Sequence, residues 1–208
     1  MRKILISTSL AFCFGGLWAQ SDSRQFTGIY TGVVAGSQNL FGGSNINGAD
    51  VLAQSSRGAV DFPLGYRRQF LSGRFLAGAE FIWGLTDGRL RHEDRARQLS
   101  IRYENNSQWS IGLTAGYVFG KKRSNLTFLY LNETTRQFDV FIVDQYGPYK
   151  QQDEQGMLKF GVGVERRLLK ALHVRLTAGR LYADFGDRVT NIDVNDKWDV
   201  MGGLAYQF

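Results

Sequence analysis

The sequence predicts an all-β fold, namely an eight-stranded antiparallel up-and-down transmembrane β-barrel preceded by a signal peptide. Eight segments alternate apolar and polar residues with a period of two, as strands with two unlike faces do. The connections between these segments alternate strictly between short and long. An even number of neighbouring antiparallel strands favours closure, because closure removes the unpaired edges.

The first residues are typical of a secretory signal peptide. Arg2 and Lys3 precede an apolar run over residues 4–14, and cleavage is expected after Ala19 or Gln20. Residues 1–19 are therefore the predicted signal, and 20–208 the predicted barrel domain. Removal of the signal peptide lowers the formal charge from +6 to +4 and takes away Cys13, the only cysteine.

The clearest strand signal is "WSIGLTAGYVF", which begins at Trp109. Its aromatic and aliphatic residues fall on one face, and its glycine, serine and threonine residues fall mostly on the other. The same pattern predicts eight strands, the fifth of which is the least regular in its second half. Their expected ranges are 25–36, 58–69, 74–85, 107–119, 125–141, 156–168, 172–184 and 197–208.

The connections fall into two sets by length. "FLSGR", "GKKRSN" and "LLKA" are short, whereas long loops are expected near 37–57, 86–106, 142–155 and 185–196. In an up-and-down sheet this places every short turn at one end and every long loop at the other. Both ends of the chain are then expected at the short-turn end.

The polar faces decide between a soluble lipocalin-like barrel and a membrane barrel. They carry charges of both signs among many small residues, which suits the narrow interior of a small membrane barrel. We therefore predict interior ion pairs, with Glu80, Arg67, Lys159 and Glu165 forming one network. The full set of charges on these faces is Asp61, Arg67, Glu80, Lys159, Glu165, Arg175, Lys197 and Asp199.

Aromatic residues cluster at both ends of the expected apolar band. Two such belts match the two interfaces of a bilayer. Trp83, Trp109 and Trp198 lie near the long-loop ends of their strands. The belt near the short turns comprises Tyr66, Tyr117, Phe119, Tyr206 and Phe208.

Two segments carry a family resemblance. "GVGVERRLLKALHVRLTAGRLYADFGD" (161–187) and the terminal "WDVMGGLAYQF" resemble the small outer-membrane β-barrel proteins, which include opacity-type surface antigens and the OmpA-type transmembrane domain. The resemblance implies a monomer in the outer membrane of a Gram-negative bacterium, surrounded by outer-membrane lipids. It also implies a signal for the barrel assembly machinery at Phe208, Tyr206 and Leu204.

The charged and nucleophilic residues favour no catalytic, cofactor or metal site. Basic residues are interspersed with acids, as in "RLRHEDRAR", which argues against nucleic acid. Neither His92 nor His173 lies in a His-x-Ser arrangement resembling a lipid A deacylase. The second long loop instead carries arginines that suit lipopolysaccharide phosphates, namely Arg89, Arg91, Arg95, Arg97 and Arg102.

The leading functional hypothesis is a non-enzymatic surface protein, with adhesion or contact to a host surface ligand through the long loops. The first alternative is a narrow ion channel resembling a porin, although eight strands leave little open lumen. A lipid-modifying outer-membrane enzyme is the second alternative.

Overall fold

The computed structural model describes residues 25–46, 49–86, 88–95, 98–183 and 198–208. The predicted signal peptide, the expected loop 185–196 and Lys197 lie outside these ranges. Within them, no helix is long and apolar enough to cross a membrane.

The described residues include nine strands, which make up one antiparallel sheet that closes on itself. Strands β3 and β4 both pair with β5, so they occupy one position in the ring, and eight positions result. The last strand pairs with the first, from Tyr30 opposite Gln207 to Ser37 opposite Val200. The eight predicted strands are thereby confirmed. The strands are β1 Gly28–Ile46, β2 Ala49–Phe70, β3 Phe75–Thr86, β4 Arg89–Asp94, β5 Leu99–Phe119, β6 Asn125–Asp144, β7 Gly147–Arg167, β8 Leu172–Ala183 and β9 Asp199–Gln207.

Three of the predicted long loops are wrong, because the strands continue through most of them. The β1–β2 ladder reaches Ile46 opposite Ala49, and the β6–β7 ladder reaches Asp144 opposite Gly147. β4 and the first residues of β5 occupy much of the loop expected near 86–106. In the extended parts of β5 and β6, apolar residues such as Tyr103, Phe138 and Val140 point inward, and the outward residues include Arg102, Glu104 and Asp139. That reversed polarity made them read as loops.

Within β5, a β-bulge produces this reversal. The register with β6 shifts between Asn105 and Ser107, where one extra residue enters β5. Tyr103 is fully buried inside, whereas Trp109 is exposed outside, although both have odd numbers. One added residue moves every following side chain to the opposite face.

The inward-facing residues of β6 show the order of the layers in the barrel interior. Leu126, Phe128 and Tyr130 come first, then polar residues up to Arg136, then Phe138 and further apolar residues. The lower cluster, at the short-turn end, contains Phe26, Leu76, Val118, Leu126, Phe128 and Tyr130. The upper cluster, at the opposite end, contains Leu40, Ala53, Leu90, Leu99, Ile101, Tyr103, Phe138, Val140 and Ile142. We call the region between them the polar layer.

The outer surface of the middle of the barrel is apolar. Leu113 and Leu129, for example, expose 66% and 63% of their surface. The aromatic residues of both predicted belts also point outward, and Trp83 lies directly opposite Trp109. A soluble barrel would bury this face, so the lipocalin-like alternative is wrong. An apolar band of this size is the surface that lipid covers.

Candidate functional site

The polar layer contains a chain of four alternating charges. Arg67 Nη1 lies 2.8 Å from Glu165 Oε2, and Arg175 Nη1 lies 3.8 Å from Glu165 Oε1. Arg175 Nη2 then lies 2.9 Å from Glu80 Oε2. Strands β2, β7, β8 and β3 contribute one residue each, and all four side chains are buried. Such charges are tolerated in an interior only when they are paired and hydrogen-bonded.

Neutral side chains complete the coordination of this chain. The Tyr30 hydroxyl donates to Glu80 Oε2 at 2.6 Å, and Arg67 Nε donates to Gln207 Oε1 at 2.9 Å. The Arg67 guanidinium also lies 4.3 Å from the centre of the Tyr30 ring, a cation–π distance. Tyr30 and Gln207 were not expected as site residues, because sequence patterns single out charges before neutral partners.

Lys159 and Asp199 form a separate ion pair. Lys159 Nζ lies 3.0 Å from Asp199 Oδ2, and the backbone N–H of Asn39 donates to Asp199 Oδ1 at 2.7 Å. Of the four residues expected to form one network, the structure therefore brings together Glu80, Arg67 and Glu165. It places Lys159 with another partner.

Asp61 is held by amides rather than by a cation in the described part of the chain. Gln38 Nε2 donates to its Oδ2 at 2.7 Å, and Gln108 Nε2 donates to its Oδ1 at 3.0 Å. The oxygen of Gln108 accepts from Arg136 Nε at 3.0 Å, and the Asn39 carbonyl accepts from Arg136 Nη1 at 2.8 Å. Two glutamines thus separate Asp61 from a fully buried arginine that sequence reasoning missed. With Arg136 included, the described interior charges comprise four cations and four anions.

One small cavity lies within the polar layer. Its volume is about 30 Å³, and its lining includes Asp61, Glu80, Asn132, Lys159 and Arg175. A water needs roughly 10–15 Å³ measured in this way, so one or two waters fit. The upper and lower clusters lie on either side of the polar layer.

Four of the five predicted lipopolysaccharide arginines are described by the structure, and they lie on the outer surface beyond the tryptophan belt. Arg89 and Arg91 belong to β4 and Arg102 to β5, with Arg91 directly opposite Arg102. Arg95 is exposed just after β4, and Arg97 lies outside the described residues. Arg89 and Arg102 both approach Glu104, at 3.5 and 3.2 Å. These side chains are largely or partly exposed, so such pairs add little stability.

An outer groove lies beside these arginines. It has a volume of about 470 Å³, and its lining includes Arg91, Arg102, Phe141, Tyr149 and Lys150. The Arg102 guanidinium lies 4.5 Å and the Lys150 ammonium 5.2 Å from the centre of the Phe141 ring. Sequence reasoning missed the last three residues, because it placed a loop near 142–155 and doubted the second half of the fifth strand.

The two histidines occupy different places. His92 lies on β4, so its expected position in a loop is wrong, and it is partly buried. His173 is fully buried at the lower cluster, where its ring centre lies 4.9 Å from that of Phe26. Its Nδ1 is 3.7 Å from Glu165 Oε2. In the ranges that the structure describes, no three His, Cys, Asp or Glu residues are grouped so that they could hold a metal ion.

The expected assembly signal lies at the outer rim of the short-turn end. Leu204, Tyr206 and Phe208 all point outward and are exposed. The rings of Tyr206 and Phe208 are 5.1 Å apart, and the Phe208 N–H donates to the Ile29 carbonyl at 2.9 Å. The signal role itself stays a prediction.

Ring closure, an apolar exterior and an interior filled by compensated charges define the chain as an eight-stranded transmembrane β-barrel protein. No family model matches the chain, and no curated protein matches it. Three solved outer-membrane or surface proteins are similar to it in structure.

The first is Ail, the attachment invasion locus protein of Yersinia pestis, solved in complex with the heparin analogue sucrose octasulfate. It is 12% identical, the match covers 88% of this chain and 99% of that chain, and the TM-score is 0.47. Neisserial surface protein A is 12% identical over 86% and 96% of the two chains, with a TM-score of 0.41. An outer membrane channel from Pseudomonas putida F1 is 11% identical over 93% and 98%, with a TM-score of 0.31.

Proposed function

We propose that the protein is a non-enzymatic, monomeric surface protein of a Gram-negative outer membrane, and that its outer groove binds anionic carbohydrate. The groove carries the proposal, because it combines three cations with two aromatic side chains. Guanidinium groups bind phosphate and sulfate through paired donors, and aromatic faces offer apolar surface with a fixed geometry. The sugars of lipopolysaccharide and the sulfated sugars of a host surface share this chemistry.

The position of the groove supports this ligand class. Arg102 precedes Trp109 by seven residues on β5, which is about 23 Å along a strand. The groove therefore lies beyond the membrane interface that the tryptophans mark, and it faces sideways, toward neighbouring lipopolysaccharide. Its cations pair with Glu93, Glu104 and Asp139, but the cations themselves are 43–67% exposed, so a ligand phosphate can reach them and compete with these partners.

Export and assembly follow from the sequence features at the two ends. We propose cleavage after Ala19 or Gln20, and recognition of Leu204, Tyr206 and Phe208 by the barrel assembly machinery.

The test of membrane placement is gel mobility of the outer-membrane fraction with and without boiling, since a closed barrel resists SDS until it is heated. Recovery in the soluble periplasmic fraction, with no heat-dependent shift, would contradict membrane placement.

The alternatives find less support among the described residues. Apolar clusters lie on both sides of the polar layer among the described residues, which disfavours a narrow channel. Neither histidine makes a hydrogen bond to a serine in this part of the chain, and His173 faces inward, so a lipid-modifying site is not favoured.

The carbohydrate proposal is tested with Arg91→Gln and Arg102→Gln combined, using folded protein in detergent. We expect affinity for immobilised lipopolysaccharide to fall by about tenfold, or 1.4 kcal/mol. The matched control combines Lys121→Gln with Lys122→Gln, which removes two cations from the opposite end. Equal losses in both variants would mean nonspecific charge attraction and would contradict a site in the groove. A parallel measurement with heparin distinguishes a host-type sulfated ligand from lipopolysaccharide.

A further inference from the structure

The short-turn end of the barrel has a one-sided charge distribution. Among the described residues 66–78, 115–130, 162–177 and 203–208, the only acid is Glu165, which turns inward to Arg67. The upper end differs, because its arginines and Lys150 lie among acids such as Glu104 and Asp139. We call the cations on the surface of the short-turn end the basic collar: Arg68, Arg74, Lys121, Lys122, Arg123, Arg166, Arg167 and Lys170.

The basic collar lies at the height of one membrane interface. Tyr117, Phe119 and Phe75 point outward next to it, as aromatic residues do where hydrocarbon meets headgroups. Cations at that height meet lipid phosphates directly. Each one strengthens attraction to an anionic leaflet by about fivefold.

A groove on the lipid-facing wall begins at this collar. It has a volume of about 350 Å³ and lies across β6, β7 and β8. Phe119, Val164, Leu168, Val174 and Leu176 supply apolar walls, and Arg166 is its only lining cation. Arg166 is exposed, and among the described residues no carboxylate lies within ion-pair distance of it. Glu165 borders the groove but is bound to Arg67 inside the barrel.

We propose that this groove binds an anionic glycerophospholipid of the inner leaflet, with its phosphate on Arg166 and an acyl chain along the apolar walls. The inference rests on the membrane placement proposed above and is independent of the carbohydrate groove. The surrounding collar concentrates anionic headgroups, and Arg166 selects one of them. The apolar walls are what distinguish a lipid from a free phosphate.

Native mass spectrometry of the folded full chain tests the site. The protein is mixed with phosphatidylglycerol and phosphatidylcholine of identical acyl chains at equal concentration. We expect phosphatidylglycerol adducts to exceed phosphatidylcholine adducts by about fivefold or more. Arg166→Gln should abolish most of that preference, while Arg57→Gln, which removes an exposed cation of β2 outside both grooves, should preserve it. Equal retention of the two lipids by the wild type would overturn the proposal, as would an unchanged preference in Arg166→Gln.

Two further measurements complete the test. Glycerol phosphate at the same concentration should leave the lipid adducts in place, and full displacement would overturn the acyl-chain half of the proposal. Heat-dependent gel mobility establishes which samples are folded, so failure to insert is not mistaken for failure to bind lipid. If Arg166→Gln does not fold, the test is how the wild type's preference for phosphatidylglycerol changes with salt concentration. A preference that persists unchanged at high salt would contradict an ionic headgroup contact.

Discussion

Glu80 is a buried carboxylate whose charge is satisfied by two neighbours. Arg175 Nη2 lies 3.1 Å from one of its oxygens and 2.9 Å from the other, and Tyr30 donates to it at 2.6 Å. Arg175 also contacts Glu165, so the Glu80 charge supports the rest of the chain of charges. Removing one member of such a set leaves a buried charge without compensation, and this is more costly than never having buried it.

We expect Glu80→Gln to lower the free energy of unfolding by roughly 3–5 kcal/mol, because Arg175 loses its nearest anion. Urea unfolding of the detergent-folded protein, followed by tryptophan fluorescence, measures the change. Glu93→Gln is the matched control, since that carboxylate lies 3.6 Å from Arg91 with half of its side chain exposed. Its expected effect is about 0–1 kcal/mol. A loss for Glu80→Gln as small as that expected for Glu93→Gln would show that the Glu80 charge is not needed for stability.

Sequence parity predicted which charges point inward, but it did not predict their partners. Lys159 and Asp199 belong to β7 and β9, which are separated by β8, so their contact depends on how the strands tilt around the ring. No local sequence pattern encodes the position of a residue along the barrel axis relative to residues of other strands. Arg136 was missed because it lies in the strand with the least regular second half. The structure places it inward, on the same face as Phe128 and Tyr130.

At the scale of the strand, the bulge in β5 lets one element serve two environments. Below it the apolar side chains face lipid, and above it they face the upper cluster. The sequence could not predict this change, because alternation continues across the bulge with the same parity. The upper strands therefore looked like loops whose outer residues were polar. The strands within the membrane, which have one polarity throughout, were predicted within a few residues.

Deletion of Asn106 tests the role of the bulge. Without the extra residue, β5 alternates without interruption and pairs with β6 in one register, so Leu99, Ile101 and Tyr103 should stay inward. We expect the deletion variant to keep its heat-dependent gel shift and to resist trypsin cleavage at Arg95 and Arg102. Asn106→Ala keeps the residue count and serves as the control. A deletion variant that trypsin cleaves much faster than this control would contradict the assignment of the bulge.

The whole molecule is a barrel with charges at its centre and apolar residues at both ends of the interior. The upper and lower clusters are layers of buried side chains, and the one internal cavity described above accommodates only one or two waters. An ion moving along the axis would pass the upper or the lower cluster on its way to the polar layer. The fold therefore supports a closed barrel better than a channel.

We expect purified protein in planar bilayers to give no current steps above those of the bare membrane. The physical reason is the cost of placing an ion between apolar side chains without compensation. An open porin inserted into the same bilayer provides the positive control. Regular, repeatable openings would favour the channel alternative instead, and would require the clusters at the two ends to move.

The ion pairs of the interior also bear on how the barrel forms. Arg67 and Glu165 are 98 residues apart, Arg175 and Glu80 are 95 apart, and Asn39 and Asp199 are 160 apart. Although Glu165 and Arg175 lie on neighbouring strands, Arg67 and Glu80 depend on partners that are distant along the chain, and a partly rolled sheet would present uncompensated ions to lipid. Intermediates of that kind are strongly unfavourable. Closure of β1 on β9 and completion of the polar layer then become a single cooperative event, with a high barrier to opening once the ring is shut.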